Sequence, residues 1–131
     1  MAEGILKKYL PQKKFFIDSA GTASYHTGSS PDPRSISVAK KNNINISSQK
    51  ARQFNRNDFK KFDHIFVMDK NNLKNISSID KEKKYSSKVK LFIPKKDVPD
   101  PYFGEEEDFD YCFKLIDEQC KKISLKLKNN A

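Results

Sequence analysis

The sequence predicts an α/β fold, a parallel sheet with helices on both faces, and three observations carry that reading. Residues 15–18, 64–68 and 90–93 are short apolar runs of strand length. Segments with helical spacing lie between these runs and after the last of them. The 131 residues suit one domain with a single modest core.

Taken in order, residues 2–10 read as an amphipathic helix with Ile5, Tyr9 and Leu10 on one side, and Pro11 ends it. Residues 15–18 follow as a buried strand, and residues 19–30 as a loop punctuated by Gly21 and Gly28. Asp32-Pro33-Arg34 opens a second helix, with a capping carboxylate and then proline in the first turn. It should run to Lys41 and carry Ile36, Val38 and Ala39 inward. Residues 42–53 read as an exposed connection with a brief extended piece at 44–46, and residues 57–62 as one or two helical turns. Residues 64–68 form the strongest strand signal, a continuous apolar run closed by Asp69. Residues 71–76 and 80–85 are polar and partly helical, and residues 90–93 make the third strand. Phe109, Cys112, Phe113, Ile116, Cys120, Ile123 and Leu127 then recur at helical spacing over 106–127. Acidic residues come first and lysines last in this segment, as the helix dipole favours.

Parallel sheets of this kind bind ligands beyond the carboxyl ends of their strands. The segments there begin at Ser19, at Asp69 and at Asp97, so these three loops should converge. The third reads Asp97-Val98-Pro99-Asp100-Pro101-Tyr102-Phe103-Gly104. Its prolines stiffen the backbone and exclude helix or central strand. Asp100 thus stands on a rigid loop beside two aromatic rings. Two readings remain open: a proton donor to a flat leaving group, or a solvated turn carboxylate.

The formal charge of +9, from 26 Lys and Arg against 17 Asp and Glu, fits an anionic partner. The lysines are spread along the chain without a dense basic block, so no specific nucleic acid is expected. No apolar run reaches the roughly 20 residues of a membrane span, and the first ten residues read as helix instead of a signal peptide. Cys112 and Cys120 lie eight apart on one helical face, too distant to bridge, which points to a cytoplasmic setting. Neither suits a phosphate-binding nucleophile, because six residues on stand Glu118 and Lys126 where Arg is needed. Both are expected to be inert core. His26 and His64 are too isolated for a metal site, and no cofactor fingerprint is present. His64 is read as structural at the start of its strand.

Six stretches together resemble the low-molecular-weight protein-tyrosine phosphatase family, in its order and spacing. They are Ile17-Asp18-Ser19-Ala20-Gly21-Thr22, Tyr25-His26-x-Gly28, Ser30-Pro31-Asp32-Pro33-Arg34, Lys50-Ala51-Arg52-Gln53, Phe62-Asp63-His64-Ile65-Phe66-Val67-Met68-Asp69, and Val98-Pro99-Asp100-Pro101-Tyr102-Phe103-Gly104. The resemblance implies a three-layer, Rossmann-like parallel sheet with helices on both faces, as one domain over residues 1–131. It implies Asp100 as general acid, Tyr102, Phe103 and Tyr25 as walls of a phosphotyrosine pocket, and Ser19 as support for the phosphate loop. Phosphotyrosine proteins or small aryl phosphates are the implied partners. The family's first strand and its Cys-x5-Arg-Ser-Pro loop precede a segment like Met1-Ala2-Glu3-Gly4. By resemblance, then, an inner strand and the nucleophile are missing from this chain, and the chain alone is expected to be inactive. A binding-only module or remnant is the alternative. The arsenate reductase relatives of the fold fit less well, because residues 69–90 hold no cysteine.

Overall fold

The computed structural model describes residues 1–22 and 27–129. The architecture is α/β, five α-helices and a parallel pair of strands among the described residues. Contacts divide the chain into two compact units: Met1–Ser19 with Gly28–Ala51 and Asp100–Ala131, and Ala20–Thr27 with Arg52–Pro99.

The first unit is helical. α1 (Ala2–Tyr9) and α2 (Pro33–Lys41) both pack on α5 (Glu106–Asn129). The expected stripe on α5 is buried from Phe109 through Ile123, and Ile5, Leu10, Val38 and Ala39 are buried in the same unit. α1 ends at Leu10, whose backbone turns extended ahead of Pro11. α2 begins as its sequence requires: Asp32 accepts a hydrogen bond from the Arg34 amide, and Pro33 takes the first helical position. It ends with Asn43 in the left-handed region (φ 63°). There the Ile44 and Asn43 amides return to the carbonyls of Ala39 and Lys40, closing the last turn.

Two expectations fail here. Residues 42–53 are not wholly exposed, because the turn at Asn43 sends Ile44 and Ile46 into the core (8% and 0% exposed). Gly4 is what lets α1 approach them. A β-carbon there would stand 2.6 Å from Ile46 Cγ2 and 3.2 Å from Ile44 Cγ2. Residues 15–18, expected as a strand, take no regular secondary structure. Apolar character makes a strand only when a ladder recruits the backbone, and the segment joins none before the bridge at Gly21.

The second unit holds the sheet. β1 (Ile65–Val67) pairs in parallel with β2 (Val89–Leu91), Ile65 opposite Val89 and Val67 opposite Leu91. α4 (Lys70–Ile79) is the crossover and packs on both strands, a βαβ unit. Phe54, Phe59, Ile65, Val67 and Ile76 form its core. Asp69 caps α4 by accepting from the Asn72 amide, which explains why an aspartate closes the strand. Asp58 on α3 (Asn57–Lys61) is buried and doubly paired with the Arg52 guanidinium at 3.0 and 3.2 Å. Residues 80–85 are a turn, with no helix. The Asp80 carboxylate accepts from the amides of Lys84 and Tyr85 and so outcompetes helical hydrogen bonding. His64 precedes β1 instead of lying in it; it is exposed, its ring 6.3 Å from that of Phe66.

One bond gives the first unit a pH signature. Tyr9 donates its hydroxyl to Asp117 Oδ1 on α5 at 2.6 Å. That bond to a carboxylate pushes the phenol up to about 12 from its ordinary value near 10. The folded pKa lies above the unfolded one, so this contribution to stability is complete below pH 10 and is lost as pH rises towards 12. Urea denaturation of wild type and Tyr9→Phe should therefore show a stability gap that is full at pH 9 and narrows at pH 11. A gap that widened with pH would contradict the assignment.

Candidate active site

The loop expected to carry the chemistry is built by three local hydrogen bonds. The Tyr102 amide donates to Asp100 Oδ1 at 3.0 Å, which bends the chain directly after the carboxylate. The Gly104 amide donates to the Pro101 carbonyl at 2.8 Å and closes a four-residue turn. Asp108 then accepts the Glu105 amide at 2.7 Å, capping the start of α5. A β-carbon at Gly104 would collide with that Asp108 carboxylate, so glycine is required for the turn to meet the helix.

The turn throws its two central rings outward. Phe103 is 97% exposed and Tyr102 57%, their rings edge to face with centroids 4.9 Å apart. Asp100 is exposed beside them. Two exposed rings next to a carboxylate can contact a flat aromatic ligand and deliver a proton at its edge.

Arg34 holds this turn in place. Its guanidinium donates to the carbonyls of Tyr102 (2.7 Å) and Gly104 (3.1 Å). The same group donates to both oxygens of Asp32, from Nε at 3.2 Å and Nη2 at 3.0 Å, and lies 4.5 Å from the centroid of buried Phe109. Arg34 beside Asp32 holds that carboxyl below its ordinary range, and the Arg34 amide adds to the effect. Sequence reasoning passed over Arg34 as part of a helix opening. Yet a cation in a first helical turn works against the helix dipole, and that mismatch was a readable sign of a partner elsewhere.

The other expected site residues are placed as follows. Ser19 donates its hydroxyl to Glu3 Oε1 at 2.6 Å, which ties it to the first turn of α1. Tyr25 and His26 lie outside the described residues. Cys112 and Cys120 are buried on the apolar stripe of α5, and neither is in a disulfide. Burial pushes the Cys112 thiol up; the Met1 ammonium opposes this and the Asp100 carboxylate adds to it. Burial, with Asp117 nearby, pushes Cys120 up to about 12. Both stay protonated at neutral pH, and a thiol is a poor nucleophile. Of the three loops expected to converge, the two after β1 and β2 meet within the second unit. The Val98 amide donates to the Met68 carbonyl (2.7 Å), and the Lys70 amide to Asp97 (3.0 Å).

A family model described as low molecular weight phosphotyrosine protein phosphatase matches residues 1–131. The chain belongs to the low molecular weight protein-tyrosine phosphatase family. Among its relatives is the low molecular weight phosphotyrosine protein phosphatase of Schizosaccharomyces pombe, 43% identical over 77% of this chain and 68% of that protein. The fold is similar to a protein tyrosine phosphatase from Entamoeba histolytica solved with Hepes in the active site. That match has a TM-score of 0.90 at 32% identity and covers 98% of this chain and 88% of the other. It is similar also to Vibrio vulnificus Wzb in complex with benzylphosphonate, TM-score 0.86 at 29% identity, over 95% and 87% of the two chains.

If Arg34 restrains the phosphatase-family loop, Arg34→Ala should speed hydrogen exchange at the Tyr102 and Gly104 amides by about threefold to tenfold. Amides in the middle of α5 should be unaffected. Equal rates in variant and wild type would show that the turn holds itself.

Proposed function

We propose that residues 1–131 form one phosphatase domain of the low molecular weight type, acting on phosphotyrosine in proteins or on small aryl phosphates. Asp100 is the general acid and then the general base. Tyr102 and Phe103, with Tyr25, wall the ring, and Ser19 supports the phosphate loop. The observation that carries this reading is Asp100 on an arginine-anchored turn whose two aromatic rings face outward. The benzylphosphonate held by the Vibrio relative, an aromatic ring joined to a phosphoryl-like group, agrees with the same substrate class.

The reaction runs in two steps. A cysteine thiolate attacks phosphorus as the aryl–oxygen bond to phosphorus breaks, and Asp100 gives its proton to the departing oxygen. Water then attacks the phosphocysteine, Asp100 takes the water proton, and phosphate leaves as the thiolate is restored. Within these 131 residues neither thiol can serve, since both are buried and raised and neither is followed six residues later by arginine. These 131 residues by themselves are therefore proposed to be inactive. The separation of the two cysteines along α5 supports a cytoplasmic setting, and no helix of the described residues is long and apolar enough to cross a membrane.

The test is p-nitrophenyl phosphate hydrolysis by the chain alone and by a chimera with a family strand and Cys-x5-Arg-Ser-Pro loop joined ahead of Met1. The chain alone should show no Asp100-dependent turnover. The chimera should turn over, and Asp100→Ala should lower its kcat by roughly 10²–10⁴-fold. Full activity in the Asp100→Ala chimera would contradict the role. The two unreactive thiols also favour a second reading, a phosphopeptide-binding module. Saturable phosphopeptide binding by the chain, together with an inert chimera, would favour it.

A further inference from the structure

The second unit carries a cleft that the phosphatase chemistry does not use. It has a volume of ≈ 340 Å³ and lies between residues 56–60 around α3 and the turn that follows α4, within the usual size range of ligand sites. Arg56 and Lys60 line one wall, Lys81 and Lys84 the other. All four are exposed, and none pairs with a carboxylate among the described residues. Of the two carboxylates in the lining, Asp80 is nearly buried and accepts the Lys84 and Tyr85 amides, so it shapes the wall. Glu82 is the other carboxylate in the lining, against four cations.

The walls are stiff. The Asp80 turn is closed by the Lys83 amide bonding to the Asp80 carbonyl, with Lys83 itself at φ 51°. Tyr85 stacks flat on Phe59, centroids 5.3 Å apart and planes 4° from parallel. Lys88 donates to the Phe59 carbonyl at 2.8 Å and ties the segment before β2 to α3. A preorganised surface with cations on both sides, none neutralised by a carboxylate among the described residues, attracts a partner with dispersed negative charge.

We propose that this cleft docks an acidic, Asp- and Glu-rich segment of a partner protein. Three of its four cations are lysines, point charges that suit separate carboxylates better than the forked recognition of one phosphate. Single-stranded nucleic acid fits less well, because it needs free aromatic platforms. Tyr85 has one face on Phe59, and the Lys84 and Lys88 ammonium groups stand 5.9 and 5.4 Å from its centroid. The proposal is independent of the Asp100 chemistry, since the cleft lies wholly in the second unit.

The experiment uses the full chain and a short fluorescein-labelled Asp/Glu peptide that carries no phosphate, followed by anisotropy. Binding should be saturable and should weaken as salt is raised. Lys60→Glu with Lys84→Glu should cost at least about tenfold in affinity, whereas Lys121→Glu with Lys122→Glu on α5, an equal change in net charge, should cost less than about twofold. Hydrogen exchange of the wild-type complex should show protection at residues 56–60 and 80–85, which gives a readout free of any folding defect in the variants. Equal losses in the two double variants would overturn the proposal. So would protection elsewhere, or tighter competing binding by an oligonucleotide of the same charge.

Discussion

The Arg34 guanidinium has five N–H donors in one plane, and its place in the first turn of α2 aims them at two targets. One is the Asp32 carboxylate at the head of its own helix; the other is the pair of carbonyls on the Tyr102–Gly104 turn. Phe109 supports it from below. A cation at that position would be disfavoured by the helix dipole alone, and Asp32 removes the penalty. The acid loop is thus tied to α2 over nearly seventy residues of chain, so its position depends on the fold and not only on its two prolines.

Local chemistry and tertiary restraint divide the labour on this loop. The bend after Asp100, the closure at Gly104 and the Asp108 cap are written in adjacent residues. They set the shape of the turn and force both rings outward. The Arg34 fork sets where that shape is held. Exposure of Phe103 and Tyr102 costs the chain hydrophobic burial. The buried thiols of α5 illustrate the opposite use of a reactive residue type: in an apolar stripe, desolvation keeps sulfur protonated and makes it packing material.

Much of this was legible from residues. The Asp32–Pro33 cap and the helical spacing of the α5 stripe appear in the structure because each depends on neighbours in sequence, and the run closed by Asp69 is a strand because β2 receives it. Residues 15–18 were not legible, because the same apolar run is strand or coil according to whether a ladder receives it. The inward turn of Ile44 and Ile46 was hidden for a related reason: it follows from one left-handed residue, Asn43, and from the space Gly4 leaves beneath α1. Asp80 to Tyr85 misled through polarity; a carboxylate that captures two amides gives a turn where composition suggested helix. At the site, family motifs marked Asp100, Tyr102 and Phe103, but a motif does not say what holds them. Arg34 stood inside such a motif, and only the geometry gave it a task.

The dependence of the acid loop on the Asp32–Arg34 pair is best tested by a double-mutant cycle read at the Tyr102 and Gly104 amides. Asp32→Asn keeps a good helix cap and removes the charge that orients Arg34. In the wild-type background it should accelerate exchange at those two amides. In an Arg34→Ala background the same substitution should change nothing, because the group it orients is gone. Equal acceleration in both backgrounds would contradict the account and show that Asp32 acts on the loop without Arg34.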